Sequence, residues 1–116
     1  MVAPIDWTIV FFQDARGERP VLEFIESLDE RGQARLRRAI EELRVRNVRA
    51  TFPLVRHIEG KLWELREESQ ANTYRLLYFF FKERRIIFVH AFQKKSQRTP
   101  RKEIETARRR MQEYTK

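Results

Sequence analysis

The residue whose setting most strongly indicates chemistry is Arg75, which lies in the apolar segment YRLLYFFF that begins at residue 74. A guanidinium group in such a segment needs a counterion, because an unpaired charge is costly away from water. Two partners fit: the carboxylate of Glu64, on a neighbouring predicted strand, or a bound anion. In the first case the pair is structural, and in the second Arg75 belongs to an anion site.

Charged residues also alternate with apolar ones along residues 61–67. Alternation places Glu64 and Arg66 on one face of a predicted strand. Trp63 and Leu65 share the other face and are expected in the core. The face that carries Glu64 and Arg66 is therefore expected to be at least partly exposed to water.

The last predicted strand ends in Lys94 and Lys95, which could form a simple anion site or an ordinary solvated pair. The same strand carries His90. Histidine titrates near neutral pH, so His90 could move protons, although a single histidine in a strand is more often a hydrogen-bonded core residue. His57, in a short predicted strand, is expected to be structural or to lie at the surface.

Several other classes of site lack the residues that they need. The sequence has no cysteine, which excludes thiolate nucleophiles, disulfides and cysteine-ligated zinc. It has no phosphate-binding loop, dinucleotide fingerprint, HExxH motif or nucleophile elbow. Because only two histidines and no cluster of carboxylates are present, we expect neither a metal site nor a cofactor.

Positive charge dominates the composition and is unevenly distributed. The formal net charge is +8; residues 1–30 are net acidic, whereas residues 31–60 and 94–116 are strongly basic. Concentrated basic charge indicates a polyanionic partner, and the alternative is a solvated surface that only improves solubility. Arginine predominates over lysine, which favours planar contacts with phosphates or bases. The candidates for such contacts near the last strand are Lys94, Lys95, Arg98, Arg101 and Lys102.

These residues must be positioned by a small number of elements. Alternation predicts strands over residues 7–13, 54–58, 61–67, 73–81 and 86–93. Helical spacing predicts two helices, over 20–28 and 31–46, joined as a hairpin, and a third helix in which Thr99 caps a first turn begun by Pro100. The order predicts an α+β domain in which helices pack on a mostly antiparallel sheet of four to five strands.

The length of 116 residues predicts one domain that spans 1–116. Residues 1–7 do not combine basic residues with a long apolar run, so no secretory signal is visible. The longest apolar run, over 76–81, is too short to cross a bilayer. We therefore expect a cytoplasmic protein.

Six segments together resemble one protein family. They are WTIVFF from residue 7, RPVLEFIESL from 19, GKLWELR from 60, YRLLYF from 74, HAFQKKSQRTP from 90 and EIETA from 103. In order and spacing they are similar to the phage-derived HigB-like branch of the RelE/ParE toxin superfamily. The resemblance covers nearly the whole chain, and its most specific part is the pair LWELR and FxKK(x)4P.

The resemblance implies a RelE-like fold and the toxin of a type II toxin-antitoxin system. Toxins of the RelE type are metal-independent endoribonucleases that cut mRNA in the ribosomal A site, where the RNA 2′-OH attacks the neighbouring phosphate. The protein must then orient the phosphate, neutralise its charge and move protons. By resemblance, Arg75 contacts the scissile phosphate, Lys95 is a basic catalytic residue with Lys94 beside it, and Arg66 is a basic residue on the adjacent strand.

The chain departs from the RelE pattern at one strand. Where RelE has lysines that act as base and phosphate ligand, the aligned positions hold Leu62 and Glu64. The general base is therefore open between Glu64 and His90. RelE also stacks a late aromatic residue on a base, and no equivalent is assigned; Tyr114 lies too far along the last helix.

The resemblance also implies partners: mRNA, the ribosome, and an antitoxin of the helix-turn-helix, HigA-like type. The acidic N-terminal third and the basic C-terminal third could contact different surfaces of that antitoxin. Two other functions stay open. One is a toxin of the same fold that inhibits DNA gyrase, as ParE-type proteins do, and the other is a nucleic-acid-binding protein without catalysis.

Overall fold

The computed structural model describes residues 6–69, 72–95 and 98–116. Positions 96 and 97 of the motif HAFQKKSQRTP lie outside the described residues. So do residues 1–5 and positions 70 and 71, which fall between the predicted strands 61–67 and 73–81. The elements in chain order are β1 (Thr8–Phe11), α1 (Pro20–Glu26), α2 (Glu30–Arg46), a 3-10 turn (Asn47–Arg49), β2 (Val55–Glu59), β3 (Leu62–Glu68), β4 (Thr73–Phe81), β5 (Arg85–Gln93) and α3 (Arg101–Tyr114).

The described strands form one five-stranded sheet in the order β1-β5-β4-β3-β2. Strands β2 to β5 form an antiparallel meander. The expectation of a mostly antiparallel sheet needs a correction at the edge, because β1 runs parallel to β5 and the sheet is mixed. Alternation in a sequence reports which face a residue occupies and not the direction of its neighbour, so this pairing was not predictable from the pattern.

The two N-terminal helices differ from the predicted helical hairpin. Helix α1 has seven residues and ends at Glu26, two residues earlier than predicted. It packs mainly against β5, while α2 packs mainly against β3, so each helix is held by the sheet more than by the other. Asp29 caps α2, because its Oδ1 accepts a hydrogen bond of 2.7 Å from the Gly32 amide.

Both faces of the sheet are covered. One apolar cluster lies under α1 and α2 and includes Leu65, as predicted, with Trp63 partly buried against it. A second cluster lies under α3 and includes Leu62 from the opposite face of the same strand. The expectation of a wet face is therefore wrong at Glu64, which is fully buried. Helix α3, whose residues Ile104 and Ala107 are buried, provides that cover.

The start of α3 also differs from the prediction. Pro100 is itself the N-cap residue of α3, with no side-chain capping bond. The hydroxyl of Thr99, predicted to cap the helix, donates instead to Glu64 Oε1 at 2.8 Å. This hydrogen bond ties the start of α3 to β3. In the described part of the chain, no helix is long and apolar enough to span a membrane.

Candidate functional site

Arg75 is buried near the start of β4, where it is paired in register with Arg66 on β3 and Phe92 on β5. Its Nη1 donates to the Tyr74 carbonyl at 3.0 Å. Its Nη2 donates to Glu68 Oε1 at 2.6 Å, and its Nε lies 3.5 Å from Glu64 Oε1. Glu64, one of the two partners expected for Arg75, is thus present, and Glu68 is a second carboxylate partner.

Glu64 is enclosed by donors on both of its oxygen atoms. Arg56 contacts Oε2 through Nε at 3.0 Å and Nη2 at 2.9 Å. On Oε1, Glu64 accepts the hydrogen bond from Thr99 and faces Arg75. A buried carboxylate with such partners is satisfied without water, and its most direct effect is to hold two guanidinium groups in place.

Arg66 joins the same group from the neighbouring strand. Its Nη2 donates to Glu68 Oε1 at 3.0 Å, and its Nη1 donates to the Pro53 carbonyl at 3.0 Å. Its guanidinium carbon lies 4.7 Å from the centroid of the Phe52 ring. Arg66 and Arg75 therefore converge on a single carboxylate oxygen.

Lys94 and Lys95 follow β5 and have different environments. Lys94 is buried, whereas Lys95 is exposed. Burial lowers the pKa of the Lys94 ammonium, and the positive charge of nearby Arg75 lowers it further. The Lys94 amide donates to the Thr73 carbonyl at 2.8 Å, which fixes the chain beside the end of β4. The surroundings of Lys94 therefore disfavour its charged form, which makes it easier for this amine to release a proton.

These residues surround a cavity of about 610 Å³, which we call the basic cleft. Its lining residues are Phe52, Arg56, Arg66, Glu68, Thr73, Arg75, Lys94 and Lys95. Five of them are cations and one is an anion. A concave surface with this excess of positive charge binds phosphate groups and other anions.

Sequence reasoning missed four residues of the basic cleft, namely Phe52, Arg56, Glu68 and Thr73, and two of them could have been found. Glu68 lies on the same face as Glu64 and Arg66, so continued alternation along β3 identifies it. Phe52 is 65% exposed and precedes Pro53 in a loop. A large aromatic residue at a position that neither a helix stripe nor a strand face buries is the signal that could have found it.

The family model described as "Phage derived protein Gp49-like (DUF891)" matches residues 23–112, which include every residue of the basic cleft. The chain belongs to this family. The Gp49-like family is a RelE/ParE-like toxin family, in agreement with the resemblance at the superfamily level, and the match does not specify a branch. No curated protein matches the chain.

In this Gp49-like chain, His90 lies on β5 but does not line the basic cleft. Its Nε2 lies 2.8 Å from Glu103 Oε1, and Arg110 Nη1 lies 3.0 Å from its Nδ1. Because arginine only donates, Nδ1 accepts and the ring proton resides on Nε2, facing the carboxylate. Burial lowers the pKa of His90 despite the opposing effect of Glu103. Both ring nitrogens are therefore used within the protein.

The remaining predicted contact residues of the Gp49-like chain lie at the start of α3. Arg98 and Arg101 line a second cavity, of about 680 Å³, which shares Arg56 with the basic cleft. Arg101 Nη1 donates to Glu59 Oε1 at 2.5 Å, and Arg108 also pairs with that carboxylate. Lys102 is exposed on α3. The shared Arg56 makes the basic surface continuous from the basic cleft to α3.

Among residues 6–69, 72–95 and 98–116, no three histidine or carboxylate side chains are grouped so that they could hold a metal ion. In the basic cleft the carboxylate of Glu68 is already paired with arginines. Cations so outnumber anions there that a positively charged ligand would be repelled. The described residues of the Gp49-like chain thus offer an anion site and not a metal site.

Proposed function

We propose that this chain is the toxin of a type II toxin-antitoxin system, of the HigB-like branch, and that it cuts mRNA on the ribosome as a metal-independent endoribonuclease. The observation that carries the proposal is the convergence of Arg66 and Arg75 on one oxygen atom at the wall of an open cavity. Two arginines that share one acceptor match the demand of a phosphodiester whose charge increases in the transition state.

The proposed reaction needs charge and proton transfer but no protein nucleophile. The RNA 2′-oxygen bonds to phosphorus, the bond to the 5′-oxygen breaks, and one proton leaves the 2′-OH while another reaches the departing 5′-oxygen. We assign Arg66 and Arg75 to the phosphate oxygens. We assign proton transfer to Lys94, because it lines the basic cleft beside Arg75 and its surroundings lower the pKa of its ammonium group. Glu64, buried and bonded by Arg56 and Thr99, holds Arg75 in position.

Phe52 supports a nucleic acid as the ligand over a small anion. Its ring is exposed and borders the cavity whose cations would hold the phosphate. A base stacked on an aromatic ring gains about 1–3 kcal/mol, largely independent of sequence. Arg66 touches both the ring and the anion position, so one nucleotide can place its base and its phosphate at the two ends of this side chain.

The remaining basic residues extend the proposed RNA surface. We assign Lys95, Arg98, Arg101 and Lys102 to the backbone beyond the reacting phosphate, since Arg56 links their side of the molecule to the basic cleft. A toxin-antitoxin family implies an antitoxin partner. We propose a helix-turn-helix antitoxin of the HigA-like type. Copurification of the tagged chain with the product of the adjacent reading frame tests this partner. Absence of that product from the purified complex would contradict the proposal.

The decisive experiment is brief induction of the chain in a bacterial host, followed by primer extension on abundant mRNAs. The proposal predicts cuts within translated codons in minutes. Arg75→Ala should reduce cutting by about 100-fold or more, since one transition-state charge contact has this magnitude. Arg37→Ala is the matched control, because Arg37 is exposed on α2 under the other face of the sheet. Growth arrest with intact mRNA would instead indicate a gyrase-type target, and absence of arrest a non-catalytic binding protein.

A further inference from the structure

Glu68 covers the most buried cation of the basic cleft. It is the last residue of β3, and its side chain is 52% exposed, whereas that of Arg75 is 2% exposed. One oxygen, Oε1, accepts from Arg75 at 2.6 Å and from Arg66 at 3.0 Å. Glu68 is therefore the group that stands between the paired guanidinium donors and the solvent.

The carboxylate of Glu68 has the features of a bound anion. The hydrogen bond from Arg75 lowers the pKa of Glu68, and the charges of Arg66 and Lys94 act in the same direction. Carboxylate and phosphate oxygens accept from arginine with the same geometry. Arg75 retains a second carboxylate, Glu64, when Glu68 moves away. A half-exposed side chain at the end of a strand can rotate into water without disturbing the core.

We propose that Glu68 is an intramolecular competitor for the phosphate site: its carboxylate occupies the position of a phosphate oxygen, and each anion that binds must displace it. The identity of the natural anion as RNA rests on the proposed function, but the competition itself does not. The donors that Glu68 occupies are the ones assigned to the phosphate, so binding and displacement are a single exchange of acceptors.

This competition has a quantitative signature. If the site is free in only a fraction of molecules, the apparent dissociation constant of every ligand is raised by the inverse of that fraction. The factor is a property of the protein and is the same for a small anion and for RNA. Removing the Glu68 carboxylate must therefore increase the affinities for the small anion and for RNA by the same factor, because neither ligand has to displace it any longer.

The test compares Glu68→Gln with Glu67→Gln. Both remove one negative charge, but Glu67 lies on the opposite face of β3 and is paired with Arg35 at 3.5 Å, so this control reports the general electrostatic effect. Two probes are titrated by calorimetry: inorganic phosphate, and a fully 2′-O-methylated oligonucleotide that has no attacking hydroxyl. We expect Glu68→Gln to tighten both by the same factor, about three- to tenfold for a half-exposed pair. Glu67→Gln should change them by less than about twofold.

Each outcome decides the matter. Equal tightening of both probes in Glu68→Gln supports the competitor, as does phosphate binding that appears only in this variant. Three outcomes would overturn the proposal. Glu68→Gln could leave phosphate affinity unchanged, no variant could bind phosphate, or Glu67→Gln could increase affinity by the same factor as Glu68→Gln. Melting temperatures verify that the variants are folded. Glu68→Ala repeats the comparison with a side chain that has no oxygen atom to accept from Arg66 and Arg75. If Glu68→Gln binds phosphate more tightly but the parent chain cuts no mRNA, the proposed nuclease activity is wrong and the competition by Glu68 is supported. If the parent chain cuts mRNA but Glu68→Gln does not change phosphate affinity, the nuclease activity is supported and the competition is wrong.

Discussion

Two polar networks lie on the same face of the sheet and differ in whether their polar groups can bind a ligand. In the basic cleft, Arg66, Arg75 and Lys94 line a cavity that is open to solvent. Under α3, His90 is bonded by Glu103 on one ring nitrogen and by Arg110 on the other. Burial lowers the pKa of both His90 and Lys94, so a shifted pKa does not distinguish the networks.

The distinction lies in the partners. The hydrogen-bonding capacity of His90 is fully used inside the protein, and a ring in that state orients α3 against β5. In the basic cleft, by contrast, the acceptor that joins two arginines is a half-exposed carboxylate that a ligand can replace. A perturbed group is available for chemistry only if its partners can be exchanged for a substrate. The comparison therefore predicts loss of activity at one network and loss of structure at the other.

After Arg75, the largest effect is expected at Lys94. Lys94→Arg keeps the positive charge but cannot release a proton at neutral pH. We expect the rate of mRNA cleavage to fall by about 100-fold, the lower end of what proton transfer by a positioned side chain contributes. Single-turnover cleavage on programmed ribosomes measures it.

The matched control for this change is Lys95→Arg, at the exposed neighbouring position. Cleavage should stay within about threefold of the parent, because a backbone contact is preserved by either cation. A loss in Lys95→Arg with no loss in Lys94→Arg would transfer the proton-transfer role to Lys95. Unchanged rates in both would leave Glu64, which contacts Arg75 but does not line the basic cleft, as the remaining candidate for the base.

An intermediate effect is expected at Phe52. Phe52→Ala removes the exposed ring and should weaken binding of a 2′-O-methylated oligonucleotide by about tenfold, in the range of one lost base stack. Binding of inorganic phosphate should be unaffected, since the ring bears no charge. Val48→Ala, at another exposed apolar residue that does not line the basic cleft, serves as the control. Equal weakening of both ligands would show that Phe52 only supports Arg66.

The smallest effect on activity is expected at His90. His90→Gln should leave the cleavage rate within about twofold, but it should change the dependence of stability on pH. The lowered pKa of His90 means that the folded state favours the neutral ring. Its contribution is thus complete above the unfolded pKa of about 6.5 and is lost as the pH falls from there through the folded pKa.

Denaturant unfolding between pH 8 and pH 5 measures this contribution. The parent chain should lose more stability on acidification across this range than His90→Gln does. If stability depended on pH identically in the parent chain and in His90→Gln, the structural role of His90 would be wrong. A large loss of cleavage in a stably folded His90→Gln protein would return His90 to the list of catalytic residues.

The sequence predicted the elements better than their arrangement. Alternation along β3 and the aromatic and β-branched runs of β4 and β5 identified these strands, and the bounds of β4 are those expected. These patterns could not report that β1 pairs in parallel with β5. Alternation also left Glu64 on a wet face, because the cover of that face, α3, arrives from residues about forty positions later.

For the candidate site, sequence reasoning found the residues whose type conflicts with their surroundings. Arg75 was identified because a guanidinium group in an apolar strand needs a partner, and Lys94 because two lysines end a strand. Glu68 and Phe52 do not conflict with a strand end and a loop, so their residue types alone did not single them out. The use of both His90 nitrogens likewise depends on Glu103 and Arg110, which α3 contributes from another part of the chain.

The parallel pairing of β1 with β5 has a consequence for the order of events during synthesis. Thr8 to Phe11 must wait for Arg85 to Phe88 before they gain a neighbour, so this edge of the sheet forms only after those residues of β5 have left the exit tunnel. Contacts of such long sequence separation form late and slowly. Lys94 emerges later still, just after β5. A nascent chain of this protein therefore has no assembled basic cleft until its own ribosome has translated past the codon for Lys94.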